Sequence, residues 1–175
     1  MKNGKPMINN LVRTAVLAVA TCFVATAFAQ QTPNLPNMPK APLELHAFSV
    51  NGEPFIQDKI RGKVTIVFFW ATSCSVCRDS LPELRANLNG WQNKPFALVT
   101  VNVDKNASDW LSYERILGQT QSLPKGSIAL RQDEGKMVPM KLPLTLLVDA
   151  KGKVVSRFEG RLAPEAWDGV AELIP

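Results

Sequence analysis

Two cysteines, Cys74 and Cys77, are separated by two residues in the segment Phe68-Phe69-Trp70-Ala71-Thr72-Ser73-Cys74-Ser75-Val76-Cys77. An apolar run, Val64 to Trp70, leads into the pair, and a helix-like stretch, Ser75 to Leu88, leads out. The pattern predicts a strand-to-helix junction. There the unpaired N–H groups of the first helical turn and the helix dipole favour a thiolate on Cys74. Such a thiolate attacks a disulfide and forms a mixed disulfide. Cys77, one turn further on and expected to be more buried, then resolves it.

Other uses of the pair are weaker. A structural disulfide across two residues closes almost no loop, so it removes little entropy from the unfolded chain. Zinc sites usually take four ligands, yet no second cysteine pair is present and His46 is the only histidine. His46 reads as a surface residue of an early strand. Two soft thiolates can hold Cu(I), which keeps a non-enzymatic copper chaperone as an alternative.

The elements that position the pair follow from periodicity and breakers. Leu43 to Val50 reads as an edge strand, with Asn51-Gly52 as a hairpin turn. Val64 to Trp70 and Phe96 to Val103 read as buried strands, apolar on both faces. Pro82 lies inside the first helix and is expected to bend it. Ala107 to Leu117 reads as a second helix, capped by Ser108 and closed by Gly118. Ser127 to Arg131, Leu144 to Val148 and Lys153 to Phe158 read as strands, the last two joined by the turn Asp149 to Gly152. Glu165 to Leu173 closes the chain as a helix, with Pro164 at its start. The order β-β-α-β-α-β-β-β-α predicts an α/β fold: a central mixed sheet flanked by helices, with an N-terminal β-hairpin extension. Trp91, Trp110 and Trp167 read as packing residues.

The 175 residues suffice for one domain, and the formal charge is +5. Setting aside Lys2, Lys5 and Arg13 from the 20 basic residues leaves 17 against 15 acidic, without a basic stripe. That argues against a nucleic-acid partner. Those three cations, the apolar run Thr14 to Phe28 and the segment Ala27-Phe28-Ala29 together read as a secretory signal peptide over residues 1–29. A retained membrane anchor, or lipidation at Cys22, would tether the chain instead. Residues 30–42 read as a linker, with Pro33, Pro36, Pro39 and Pro42 at the polyproline II repeat. Extended, it would span about 40 Å. Residues 43–175 form the expected domain, in a periplasmic, oxidising compartment that permits a disulfide.

From Leu43 onward the chain resembles the TlpA/ResA-type thioredoxin-like family of exported thiol–disulfide oxidoreductases. The resemblance rests on the cysteine segment quoted above, on Leu81-Pro82-Glu83-Leu84, and on Val99-Thr100-Val101-Asn102-Val103-Asp104. It rests also on Leu142-Pro143-Leu144-Thr145-Leu146-Leu147-Val148-Asp149 followed by Gly152. It implies a thioredoxin-like fold with Cys74 and Cys77 as the redox-active, catalytic pair and no organic cofactor. It further implies a cis peptide before Pro143 that faces the cysteines, with Leu142 and Trp70 contacting the substrate. The implied partners are exported protein disulfides, such as cytochrome c or copper-oxidase assembly substrates, and a membrane thiol-electron donor. Two departures stand out. Phe68 and Ser80 occupy positions where thioredoxin and several ResA-like reductases hold acids. A disulfide oxidase or a peroxide-reducing relative are the enzymatic alternatives; Thr72 and Ser73 are weak support for the latter.

Overall fold

The computed structural model describes residues 41–135, 139 and 141–175. The expected signal peptide, Cys22 and the linker as far as Lys40 lie outside the described residues. Ala41 and Pro42, expected to end the linker, already belong to the fold. The Ala41 carbonyl accepts from the Val154 N–H at 2.9 Å, and Pro42 bridges Lys153.

The strands are β1 (Ala47–Ser49), β2 (Val64–Trp70), β3 (Phe96–Asn102), β4 (Ser127–Gln132), β5 (Leu144–Val148) and β6 (Val154–Glu159). They form one six-stranded sheet in the order β1-β4-β3-β2-β5-β6. β2, β3 and β4 run parallel, while β1, β5 and β6 are antiparallel to their neighbours. The expected N-terminal extension is therefore the edge of the main sheet. Its returning chain makes one bridge, Phe48 to Pro54, around the Asn51-Gly52 turn, where Gly52 takes φ +78°. That backbone region is open to glycine at little cost.

The helices are α1 (Ser75–Gly90), α2 (Ala107–Thr120) and α3 (Ala166–Leu173), with a 3-10 turn at Gln57–Ile60 that the sequence pattern does not reveal. α1 buries Cys77, Leu81, Leu84 and Leu88, a single stripe at helical spacing, and continues through Pro82. α2 departs from expectation at both ends. Asn106 rather than Ser108 precedes it, without a side-chain cap, and it runs past Gly118 to Thr120.

Along β2 the side chains alternate between two cores. Val64, Ile66, Phe68 and Trp70 face one cluster, built with Cys77, Leu81, Leu84 and Leu88 of α1, Trp110 of α2 and Val170 of α3. Val67 and Phe69 face the other, built from strands and from Leu43, Ala47 and Ile60. Among the described residues the α-helices thus contribute buried side chains to one core only. The opposite face is closed by the N-terminal segment.

Glu114 lies between helices on the helical face. The Trp110 Nε1–H donates to it at 3.2 Å. Burial pushes its carboxyl above the usual carboxylate range, against the Trp110 hydrogen bond and the charge of Arg85. A raised folded value favours the protonated form. The associated stability is complete below the ordinary carboxylate range and is lost as pH rises through the raised value. Glu114→Gln, which can keep the Trp110 bond, should therefore raise the melting temperature at pH 7. The gain should vanish near pH 4, read by thermal unfolding at both pH values.

Candidate active site

β2 delivers the cysteines. After Trp70 come Ala71, Thr72 and Ser73, then Cys74 as the cap residue of α1. Cys74 keeps an extended backbone (φ −84°, ψ 105°), and its Sγ accepts a hydrogen bond from the Cys77 N–H at 3.2 Å. A sulfur thus holds the place that a serine or aspartate oxygen usually takes. The donor is one of the first-turn N–H groups that no helix carbonyl reaches. Hydrogen bonds to an ionised acceptor are the stronger kind, so this one stabilises a Cys74 thiolate over its thiol.

Cys74 and Cys77 form a disulfide, with their Cα atoms 5.2 Å apart. Their surroundings differ. Cys77 is 0% exposed and belongs to the helical-face core, whereas Cys74 is half-buried at its margin. Between them Val76 is 45% exposed, an apolar side chain open to a docking partner.

The turn before Cys74 is held from outside. The Asp104 carboxylate, just past the end of β3, accepts the Thr72 N–H at 2.9 Å (Oδ1) and 3.2 Å (Oδ2). The buried Asn102 side chain donates to Asp104 Oδ2 at 2.8 Å and accepts the Asp104 N–H at 3.0 Å. Arg131 of β4 donates to the carbonyls of Asp104 and Lys105 at 3.2 and 3.4 Å. On the other side of the same residue, the Arg78 guanidinium donates to the Thr72 carbonyl. Sequence reading assigned none of these four side chains. Asn102 and Asp104 fell inside a quoted motif, but their reach depends on register: Asn102 is level with Trp70.

The Leu142–Pro143 bond is cis. Leu144 pairs with Phe69, which brings Pro143 to the level of Trp70 on the β5 side of the cysteines. The Pro143 carbonyl accepts the Gly160 N–H at 2.8 Å. Beside it, Arg157 and Lys141 hydrogen-bond to Glu159 and hold its carboxyl below the usual range. Leu142 is partly buried and touches both cores.

Trp70, expected to contact substrate, is 0% exposed and presents no surface to a partner. It packs edge-on against Tyr113 of α2, centroids 4.7 Å apart, and helps form the floor beneath the cysteines. Phe68 is buried, and buried Ser80 donates its hydroxyl to the Val76 carbonyl at 2.8 Å. Neither position carries an acid. Exposed His46 lies just before β1, its carbonyl accepting the Asp133 N–H.

The model of the AhpC/TSA family matches residues 37–167. The chain belongs to the AhpC/TSA family. No curated protein matches it. Among solved structures it is similar to a thiol:disulfide interchange protein from Bacteroides sp. (22% identity, TM-score 0.61, 78% of this chain and 90% of that one). It is similar also to the thioredoxin domain of a thiol-disulfide oxidoreductase from Bacteroides vulgatus (19%, 0.62, 79% and 100%). A third is the exposed lipoprotein thioredoxin of Streptococcus pneumoniae (20%, 0.57, 76% and 100%). These likenesses establish a thioredoxin-like fold.

α1 is tied to α3 through Glu83. Its carboxylate accepts from Trp167 Nε1 at 3.2 Å and from Arg161 at 2.9 Å. Glu83→Ala should cost about 1–2 kcal/mol, since it removes two hydrogen bonds to a charged group, one of them part-buried. Glu83→Gln, which keeps one acceptor oxygen, should cost less. Urea unfolding of both variants measures the difference.

Proposed function

We propose that the protein is an exported thiol–disulfide oxidoreductase that reduces disulfides in specific periplasmic proteins. The observation that carries the reading is the asymmetry of the cysteine pair. Cys74 is reachable and capped by the Cys77 N–H, while Cys77 is sealed in the core. Membership of the AhpC/TSA family agrees with it.

In the reduced enzyme the Cys74 thiolate attacks one sulfur of the substrate disulfide. The S–S bond breaks, the first substrate thiolate leaves, and a mixed disulfide forms. Cys77 then gives up its proton and attacks the Cys74 sulfur. The second substrate thiolate leaves, so the substrate gains two electrons and the Cys74–Cys77 disulfide is restored. A dithiol donor on the membrane returns the electrons, and no cofactor is needed. Leu142 supplies the docking edge. Its backbone has no hydrogen-bond partner among the described residues, so it is free to pair with an extended substrate chain beside Pro143. Val76 and Leu142 add apolar contact.

The signal-like residues 1–29 support export, as does the exposed lipoprotein among the structural neighbours. Cytochrome c and copper-oxidase assembly proteins, whose cysteines must be reduced before they bind haem or copper, are the substrates we favour.

Equilibrating Cys74 and Cys77 of the oxidised protein against defined thiol buffers tests the direction. A potential below about −220 mV is expected of a reductase, whereas one near about −120 mV would overturn that and favour disulfide donation. Cys74→Ser should abolish exchange. Cys77→Ser should accumulate a mixed disulfide with substrate, seen as a thiol-sensitive adduct on a non-reducing gel; its absence would count against the assigned order of attack.

A further inference from the structure

We infer that Asp104 is a positioning residue for the cysteine pair, and that the side chains clamping the Thr72 backbone set the reactivity of Cys74. The inference rests on the thiol–disulfide function proposed above and assigns a role to residues outside the Cys-x-x-Cys segment.

Little else holds the turn. Between Trp70, the last paired residue of β2, and Cys74, the cap of α1, the chain has left the sheet and not yet entered the helix. Its local bond runs from the Cys74 N–H to the Ala71 carbonyl at 3.1 Å. Thr72 is gripped through both of its backbone groups instead, its N–H by both oxygens of Asp104 and its carbonyl by Arg78. Arg78 is itself in the first turn of α1, where its N–H bonds to the Cys74 carbonyl at 3.1 Å. The clamp therefore joins three elements: the end of β3, the turn, and the start of α1.

Asp104 is held in turn. Asn102 has no exposed surface and bonds Asp104 through both its side-chain groups, donating to one carboxylate oxygen and accepting from the Asp104 N–H. Arg131, its side chain 14% exposed, pins the Asp104 and Lys105 carbonyls from β4. The Val103 N–H completes the attachment at the Trp70 carbonyl, 2.8 Å away. A carboxylate fixed this firmly transmits its position to Thr72. It transmits it also to Cys74, two residues on, whose sulfur must stay in line with the Cys77 N–H.

Asp104 acts on Cys74 in two opposed ways. Its hydrogen bonds keep the sulfur in the field of the helix terminus, which favours thiolate. Its negative charge disfavours thiolate. The other charged groups around the turn carry both signs, Arg78 from α1, Lys105 and Arg131 against Asp133 and Glu134, with Arg131 paired to Glu134 at 3.5 Å, so the hydrogen bonds to Thr72 are what set Asp104 apart. Asp104 also lines a cleft of about 370 Å³ with Lys105, Arg131 and Glu134, so shortening its side chain opens space there.

The test separates the two effects. In the reduced full chain, the pH dependence of Cys74 alkylation by iodoacetamide gives the midpoint of thiolate formation, and thiol buffers give the potential. Neither readout needs a substrate. Asp104→Ala should raise the midpoint and cut alkylation at pH 7 by about tenfold, a change equal to about 1.4 kcal/mol. Asp104→Asn keeps an acceptor for Thr72 and loses the charge. It should leave the rate within about twofold of the parent, with a midpoint equal or lower. Arg131→Lys, which keeps the charge and loses the guanidinium hold on the Asp104 and Lys105 carbonyls, should shift the midpoint in the same direction as Asp104→Ala and by less; it serves if Asp104→Ala does not fold. Equal midpoints in all the variants would overturn the inference. So would a fall of the midpoint in both Asp104 variants, because charge would then dominate. A parent protein that shows these shifts but reduces no exported disulfide would overturn the proposed function and leave the clamp standing.

Discussion

Every residue of β2 is buried, so the backbone polar groups along it must find partners inside the protein. That requirement organises the molecule. β3 flanks β2 from Val64 to Trp70 and β5 flanks it from Thr65 to Phe69, and each face of the strand is closed by its own core. The strand ends where its flanking ladders end, and the first residues beyond it form the turn that leads to the Cys74–Cys77 disulfide. A redox pair placed there inherits the rigidity of the sheet without being part of it. This is the general position of ligand and reaction sites in sheets of this kind, outside the carboxyl ends of the strands.

The same arrangement separates the two sulfurs. One helical turn carries the chain from the margin of the core to its interior, so two identical side chains meet different surroundings. Cys74 gains a backbone donor and access; Cys77 gains burial, which disfavours its ionised form. In an acid-bearing relative a carboxylate could take the proton of the buried thiol. Here the corresponding positions hold Phe68 and Ser80, and Ser80 is already engaged with a helix carbonyl. In the proposed function the chemistry thus leans on geometry at Cys74 more than on a proton acceptor at Cys77.

The legible parts of the fold were those governed by local pattern. β2 and β5 are bounded as the apolar runs indicate, and the element order agrees throughout, because buried strands and an amphipathic helix write their periods directly into the chain. Helix ends were less legible. α2 begins after Asn106 without a side-chain cap and passes Gly118, since packing of Trp110 and Leu117 outweighs a glycine in an exposed turn. The cysteines declared themselves by spacing. The clamp did not, because Asp104 and Thr72 lie 32 residues apart and meet only through the parallel register of β2 and β3. The burial of Trp70 was also hidden: its place in the segment says nothing of whether Tyr113 will cover it.

The segment that closes the face opposite the α-helices has a mechanical meaning. It begins on β6, through Ala41 and Leu43, places Leu43, Leu45 and Ala47 on that face, and ends as β1 at the opposite edge of the sheet. Any pull on the chain ahead of Ala41 is met first by two hydrogen bonds, Val154 N–H to Ala41 and Leu43 N–H to Gly152. The load then passes into the strap and out to β1, the strand farthest from β6. β2 and the cysteine turn lie off that line. A domain drawn along by its N-terminus would bear tension across its back while the reactive edge stays slack.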